Sequence, residues 1–270
     1  MRQLEGYSQL KPDPLASSRQ IDLLRDNIAR LNYPGYPALK DRLVLDACSP
    51  EATVDGRLVL PDGPWEANTN KGRFDDENAP TEADQIKFTE MGLSLDSRGR
   101  PLHPWIHRMI ADPTIGAVTG KGAYWKWGPN ETADAIVIIR NSVLLIERYD
   151  TGDYSLPGGF LDKNEYPVHA SIRELKEETN LTLPYSCRYI PVYEGPVADL
   201  RQTANAWPNN HAYLFIPNAD ELDLDSIRAG DDARTVAFFP VNEVLGNFAL
   251  HGSHRYLLQR AVELMPLNLN

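Results

Sequence analysis

The sequence predicts an α/β (α+β) fold: a layered sandwich of helices around a mixed sheet, with a loop-rich N-terminal extension or small domain. Three observations predict it. From about residue 111 onward, short β-rich runs alternate with segments whose apolar residues recur at helical spacing. Before that point the chain is interrupted by proline and polar stretches. The whole chain of 270 residues, with 42% apolar and 24% charged residues, has a globular composition and enough length for one large domain or two modest ones. The division falls at residues 1–110, a loop-rich N-terminal domain that is a candidate cap, and 111–270, the domain dense in regular structure.

Element by element, Ser18 to Leu31 reads as a helix, with Ile21, Leu24, Ile28 and Leu31 on one side. Pro34, Pro37, Pro50, Pro61, Pro64 and Pro80 follow, and Lys71 to Asp84 reads as a polar loop. Ala135 to Ile139 and Val143 to Ile146 are apolar β-runs, and Asn141 and Ser142 between them suggest a hairpin. Tyr166 to Thr179 reads as a helix, with Asn164 as N-cap and Pro167 in the first turn. Its apolar stripe is Val168, Ile172 and Leu175. Tyr189 to Tyr193, Ala212 to Ile216 and Val236 to Val241 are further strands, and Ser253 caps a last helix running to about Met265.

Composition excludes several classes of function. With 38 acidic against 27 basic residues the formal net charge is −11, and no basic stripe offers a nucleic-acid footprint. No apolar run approaches the roughly 18 residues of a membrane span. Cys48 and Cys187 lie outside any CxxC pair, so no zinc site is readable. The N-terminal MRQLEGYSQL lacks the apolar stretch of a secretory signal and carries Glu5, so the expectation is a cytoplasmic protein. Nothing fixes an oligomeric state.

The chemistry concentrates on the helix from Tyr166. Glu174, Glu177 and Glu178 stand at i, i+3 and i+4, so three carboxylates share one face and repel by a few tenths of a kcal/mol per pair. A divalent cation relieves that repulsion, and hard oxygen ligands suit magnesium, with manganese as a substitute. An arbitrary ExxEE run is more often a solvated acidic face. Here Gly159, Glu165 and Arg173 accompany it in the pattern G-x5-E-x7-R-E-U-x-E-E. Six fixed identities, each used at roughly 5–10%, make a chance match on the order of 1 in 10,000 or rarer.

This pattern resembles the Nudix box. The family's box closes on x-G-U, whereas this chain has Thr179, Asn180 and Leu181; asparagine also adopts the left-handed conformation that ends helices. The resemblance implies the Nudix α/β/α sandwich and metal binding by Glu174, Glu177 and Glu178. It also implies that Arg173 orients a glutamate and that Glu165 is mainly structural.

Further segments, from Trp127 to Ile136, Tyr193 to Trp207, Ala229 to Ala233 and Ala249 to His254, are similar in order to the ADP-ribose pyrophosphatase branch. That branch includes the ADP-ribose-binding domain of a melastatin-type TRP channel. The similarity spans about residues 98–262. The chain departs from the branch at Glu131 to Ala135, at Ala198 to Arg201, and at Pro208 to Asn210. By the resemblance, Asp199 and Arg201 serve a ribose hydroxyl pair and a phosphate, although alone they read as a surface ion pair. Leu250 and His254 line the ligand pocket, where a histidine at a helix start is otherwise a plain surface residue. Asp231 and Asp232 assist the metal site or form a solvated turn. Trp125 and Trp127 stack on adenine or pack in a core. Gly158 and Gly159 admit a phosphate or make a tight turn. The implied activity is magnesium-dependent hydrolysis of ADP-ribose to AMP and ribose 5-phosphate. The rivals are a non-catalytic ADP-ribose sensor and a Nudix hydrolase for another nucleoside diphosphate derivative.

Overall fold

The computed structural model describes residues 13–30, 53–54, 56–60, 79–230 and 233–265. Cα positions divide the chain into two compact units. The box-bearing unit contains residues 131–195 and 209–270 together with 1–14; the second unit contains 15–130 and 196–208.

In the second unit, α1 (Ala16–Arg30) buries Ile21 and Leu24 against Trp105, Met109, Ile115 and Ala198, as its spacing requires. Ile28 is partly buried on the same cluster, and Leu31 lies outside the described residues. Arg25 ties this helix to Asp112 with two hydrogen bonds of 2.9 and 2.7 Å. A short antiparallel pair follows, β1 (Thr53–Val54) and β2 (Arg57–Leu58). Leu58 and Leu60 pack with Leu102, Ile106, Ile110, Ala117 and Ala204.

Two helices here were not read from the pattern. In α2 (Glu82–Glu90) only Phe88 is buried, and a reciprocal cap between Thr81 and Asp84 secures its start. It begins inside the stretch read as loop, because capping rather than an apolar stripe specifies it. The other, α3 (Ile106–Ala111), is too short to show a period.

The box-bearing unit holds β4 (Ser142–Arg148), β5 (Tyr154–Ser155), β6 (Gly158–Phe160), β9 (Ala233–Pro240) and the greater part of β3 (Gly128–Ile139), β7 (Arg188–Pro196) and β8 (Ala206–Ile216). Their order is β5-β4-β3-β8-β7, with β6 also paired to β3 and β9 to β4. The β3–β4, β3–β6, β4–β5 and β4–β9 ladders are antiparallel, and a parallel bridge between Tyr154 and Leu250 makes the architecture mixed. The β3–β4 turn is Arg140-Asn141, one residue earlier than the sequence suggested. Both residues have positive φ (45° and 62°), as a two-residue turn matching strand twist demands.

The box helix is α4 (Pro167–Thr179). Its N-cap is Tyr166 and Pro167 is the first helical residue; Asn164 is not the cap but a left-handed turn residue with φ 65°. Leu175 is fully buried among Ala135, Val137, Leu144, Leu181 and Phe215, with Val168 partly buried nearby. Ile172 is 37% exposed and falls off the stripe; Ala170, Ser171 and Thr179 are buried instead. Asn180 ends the helix with φ 58° and ψ 2°, the left-handed conformation expected of it. Two more helices complete the unit, α5 (Val241–Asn247) and α6 (His254–Leu264), the latter following Ser253.

Candidate active site

The antiparallel register of β3 and β6 sets Asp134 opposite Gly158, Ala133 opposite Gly159 and Thr132 opposite Phe160. The α4 helix packs on β6, so its carboxylate face meets a strand with almost no side chains. The glycines are required by close approach. A Cβ on Gly159 would lie 2.5 Å from Glu174 Oε1, and one on Gly158 would lie 2.1 Å from Asp134 Oδ1 and 2.6 Å from the Ala133 carbonyl oxygen.

Arg173 is the hub. Its Nε and Nη2 donate to the two carboxylate oxygens of Glu165 at 3.0 and 2.8 Å, a bidentate pair. Nη2 also donates to the Phe160 carbonyl at 3.0 Å, fastening α4 to the end of β6. Nη1 donates to Glu174 Oε1 at 2.7 Å and to Glu177 Oε2 at 3.0 Å. The sequence expectation that Arg173 orients a glutamate therefore understates its reach: one guanidinium organises three. Glu165, held by Arg173, has its carboxyl lowered below the ordinary range, and Arg173 is raised in return.

Glu178 is held differently. Its Oε2 accepts the Gly158 N–H at 2.9 Å. Burial pushes its carboxyl up to about 8, and the charges of Glu174 and Asp134 add to the rise, while the Gly158 bond and Arg148 oppose it. Glu174 is also raised, chiefly by burial and against the pull of Arg173. Glu177 is the outlying member, with a side chain 57% exposed.

Asp134 belongs to this cluster and was not singled out as a site residue. Burial raises its carboxyl to about 7, with a further push from Glu174. Its Oδ2 accepts from Asn210 Nδ2 at 2.8 Å and stands 3.7 Å from His254 Nε2. The signal was present: an acidic residue inside the otherwise apolar run from Ala133 to Ile139 has to be matched by polar partners. A second polar set lies on the neighbouring residues of the same two strands, where Glu131 Oε2 accepts from Asn209 Nδ2 at 2.9 Å and meets His211 Nε2 at 2.7 Å.

The other sequence candidates are placed as follows. Leu250 is buried and bridges to Tyr154, and His254 opens α6. Asp231 and Asp232 lie outside the described residues. Asp199 and Arg201 are in the second unit, where Arg201 Nη2 reaches Asp199 Oδ2 at 2.7 Å; Asp199 is 7% exposed, so the pair is more buried than a surface ion pair. Trp125 in that unit is exposed, and Lys121 lies 5.5 Å above the Trp127 ring.

Glu174, Glu177 and Glu178 present carboxylate oxygens only, the donor type that hard divalent cations take. Among the described residues no three acidic, histidine or cysteine side chains converge as a finished cage. Arg173 occupies one oxygen each of Glu174 and Glu177. This donor set fits a cation that takes its remaining ligands from water and substrate oxygens, as magnesium commonly does.

Comparison with known proteins gives the same picture. A family model described as NUDIX domain matches residues 129–261. The Caenorhabditis elegans relative named nudix hydrolase 6 is 30% identical over 270 residues, covering 89% of this chain and 94% of its own. The chain belongs to the Nudix family. Within that family, a Rattus norvegicus protein named mitochondrial ADP-ribose pyrophosphatase is 27% identical over 214 residues, covering 66% of this chain. The match spans 58% of the rat protein, less than two thirds of its length. A Nematostella vectensis protein named transient receptor potential cation channel subfamily M member-like 2 is 28% identical over 176 residues, covering 54% of this chain and 11% of the channel. No helix among the described residues of this chain is long and apolar enough to cross a membrane.

Proposed function

We propose that this Nudix chain hydrolyses the diphosphate of ADP-ribose to AMP and ribose 5-phosphate, using magnesium or, in its place, manganese. The observation that carries the reading is the carboxylate array of Glu174, Glu177 and Glu178, set by Arg173 and Glu165 against the glycine strand Gly158–Phe160. Glu174, Glu177 and Glu178 would hold the cation. Bound there, it would supply charge neutralisation at the diphosphate and acidification of a water. The chain's own groups do the rest. Arg173 keeps Glu174 and Glu177 on one side of the helix, and the Gly158 N–H fixes the direction of Glu178. Gly158 and Gly159 are proposed to meet a phosphate through their backbone on the side away from the Cβ positions, which Asp134 and Glu174 fill. Leu250 and His254 are proposed to line the ligand site, with Asp232 assisting. In the second unit, the Asp199–Arg201 pair is proposed as a recognition group for hydroxyl and phosphate. Support for ADP-ribose comes from the rat relative named mitochondrial ADP-ribose pyrophosphatase. A cytoplasmic setting is part of the same proposal.

The similarity to a channel segment keeps a binding-only reading in view. Purified protein incubated with ADP-ribose and magnesium should release AMP over many turnovers, and a chelator should stop it. Glu178→Gln should lower turnover by orders of magnitude while circular dichroism stays parental. Tight ADP-ribose binding with no AMP, in magnesium and in manganese alike, would establish the sensor reading. Faster cleavage of another nucleoside diphosphate derivative would change the substrate and keep the chemistry.

A further inference from the structure

The histidine that opens α6 faces two partners at once. His254 Nδ1 lies 2.8 Å from the backbone N of Leu156, and Nε2 lies 3.7 Å from Asp134 Oδ2. A backbone N–H can only donate, so Nδ1 is the acceptor and carries no proton. The ring proton of the neutral imidazole therefore sits on Nε2, the side of Asp134. Protonating the ring would put a hydrogen on Nδ1 and break the Leu156 bond, so the arrangement selects one tautomer of the neutral ring.

Leu156 is two residues before Gly158, whose N–H holds Glu178. The short segment between β5 and β6 is fastened on every side. The Pro157 carbonyl accepts from Ala135 N at 2.9 Å. The Tyr154 N–H donates to the Ala249 carbonyl at 3.0 Å, and the Tyr154 carbonyl accepts from His251 N at 2.8 Å. His254 adds a side chain to this fastening, and Asp134, gripped by Asn210, stands behind it. Asp134 also abuts Gly158 directly, because its Oδ1 stands where a Cβ on that residue would have to go.

We infer that His254 and Asp134 form a strut that sets the Leu156–Gly158 backbone and thereby aims the Gly158 N–H at Glu178, making His254 a positioning residue of the Nudix site. The inference rests on the proposed role of Glu178 in diphosphate hydrolysis. It differs from the role of a pocket-lining histidine, because the strut acts through Leu156 and Gly158, whether or not His254 also touches ligand.

Two conservative substitutions separate the Leu156 bond from the longer contact with Asp134. His254→Asn places an amide oxygen near the Nδ1 position and keeps an acceptor for Leu156. His254→Gln places its terminal amide near the Nε2 position and removes that acceptor. Nitrogen-15 NMR of the full labelled chain should show the Nε2–H tautomer of His254. The Gly158 amide resonance should stay in place in His254→Asn and move in His254→Gln. With ADP-ribose and magnesium, His254→Gln should lower kcat about 10- to 100-fold, the range for losing an outer-sphere partner. Any change in KM would report the ligand contact proposed above, and His254→Asn should recover most of the kcat loss. An Nδ1–H tautomer in the parental chain would overturn the strut, as would a Gly158 amide indifferent to both substitutions. A rise in KM alone, with the amide unmoved, would leave His254 as a ligand contact only. If the parental chain turns over no diphosphate, the proposed activity fails while the NMR arm still decides the strut.

Discussion

Gly158 and Gly159 are adjacent in sequence, yet each answers to a different neighbour. The Cβ of an alanine at 159 would meet only the far end of the Glu174 side chain, at 2.5 Å. That carboxylate can swing away, at the expense of its 2.7 Å bond from Arg173. At 158 the obstacles include the Ala133 carbonyl oxygen at 2.6 Å and the Asp134 Cα at 2.9 Å, so the strands themselves would have to part. Gly158→Ala should therefore destabilise by about 1–3 kcal/mol, the range for overpacking. Gly159→Ala should unfold close to the parental denaturant midpoint and still lose activity. Equal midpoints for the two variants would contradict this assignment. The buried acids make a second prediction. Glu178 at about 8 and Asp134 at about 7 are raised above the ordinary values of roughly 4.3 and 3.9. A raised acid holds its proton longer in the folded state, so its contribution to stability is complete below the ordinary value and is lost as pH rises through the folded one. Metal-free protein should melt at progressively lower temperature between about pH 6.5 and about pH 8, and magnesium should restore more at the upper end. Below that window the buried His103, lowered to about 3 by desolvation, works in the opposite sense, because the unfolded chain takes up a proton that the folded chain refuses. The depressed Glu165 also works in the opposite sense, but only as pH falls below the ordinary glutamate range. A melting temperature that climbs between about pH 6.5 and about pH 8 in chelator would refute the assignment.

The box helix and its ending were legible in the sequence because chemistry and local conformation specify the same residues. Arg173, Glu174, Glu177 and Glu178 sit where the spacing put them, and Asn180 takes the left-handed turn that the box's usual glycine would take. The buried face was only half legible. Periodicity cannot tell Ile172 from Ser171, and the sheet beneath chose Ser171. Asn164 has the residue type of an N-cap, but it lies two residues ahead of the true cap and serves the turn instead. An acid within an apolar run marks Asp134 as needing partners, but the strand pairing that places it against Gly158 is encoded by no local pattern. Asn180 also offers a test at this scale. Its side chain donates to the Ser226 carbonyl at 2.8 Å, so the helix end is held by backbone conformation and by one tertiary bond. Asn180→Gly removes the bond alone, worth about 0.5–1.5 kcal/mol. Asn180→Ala removes the same bond and adds roughly 1–2 kcal/mol of left-handed strain. Urea unfolding should rank parental, then the glycine variant, then the alanine variant. Equal losses for both would mean that the Ser226 bond alone defines the ending.

At the scale of the whole molecule, a chain of formal charge −11 is proposed to capture an anionic diphosphate. Local basic groups could in principle reverse the sign of the field near the site. In the box-bearing unit the arginines closest to the carboxylates are already committed. Arg173 is shared among Glu165, Glu174 and Glu177, and Arg148 pairs with Asp150 at 2.8 Å. Neither offers an unmatched positive charge to an approaching ligand; under the proposed function, cations held by the carboxylates would supply the attraction at short range. Beyond that range the net charge repels. Added salt shortens the screening length from about 30 Å at 0.01 M to about 8 Å at 0.15 M, and it should weaken the long-range repulsion more than the buried contacts. With magnesium held saturating, kcat/KM for ADP-ribose should therefore rise, by a few fold, as sodium chloride goes from about 0.01 to about 0.15 M. Enzymes steered by a basic funnel show the reverse. Initial rates taken well below KM, at constant free magnesium, measure this directly. A steep fall with salt would mean that a positive local field governs capture and that the net charge is irrelevant to it.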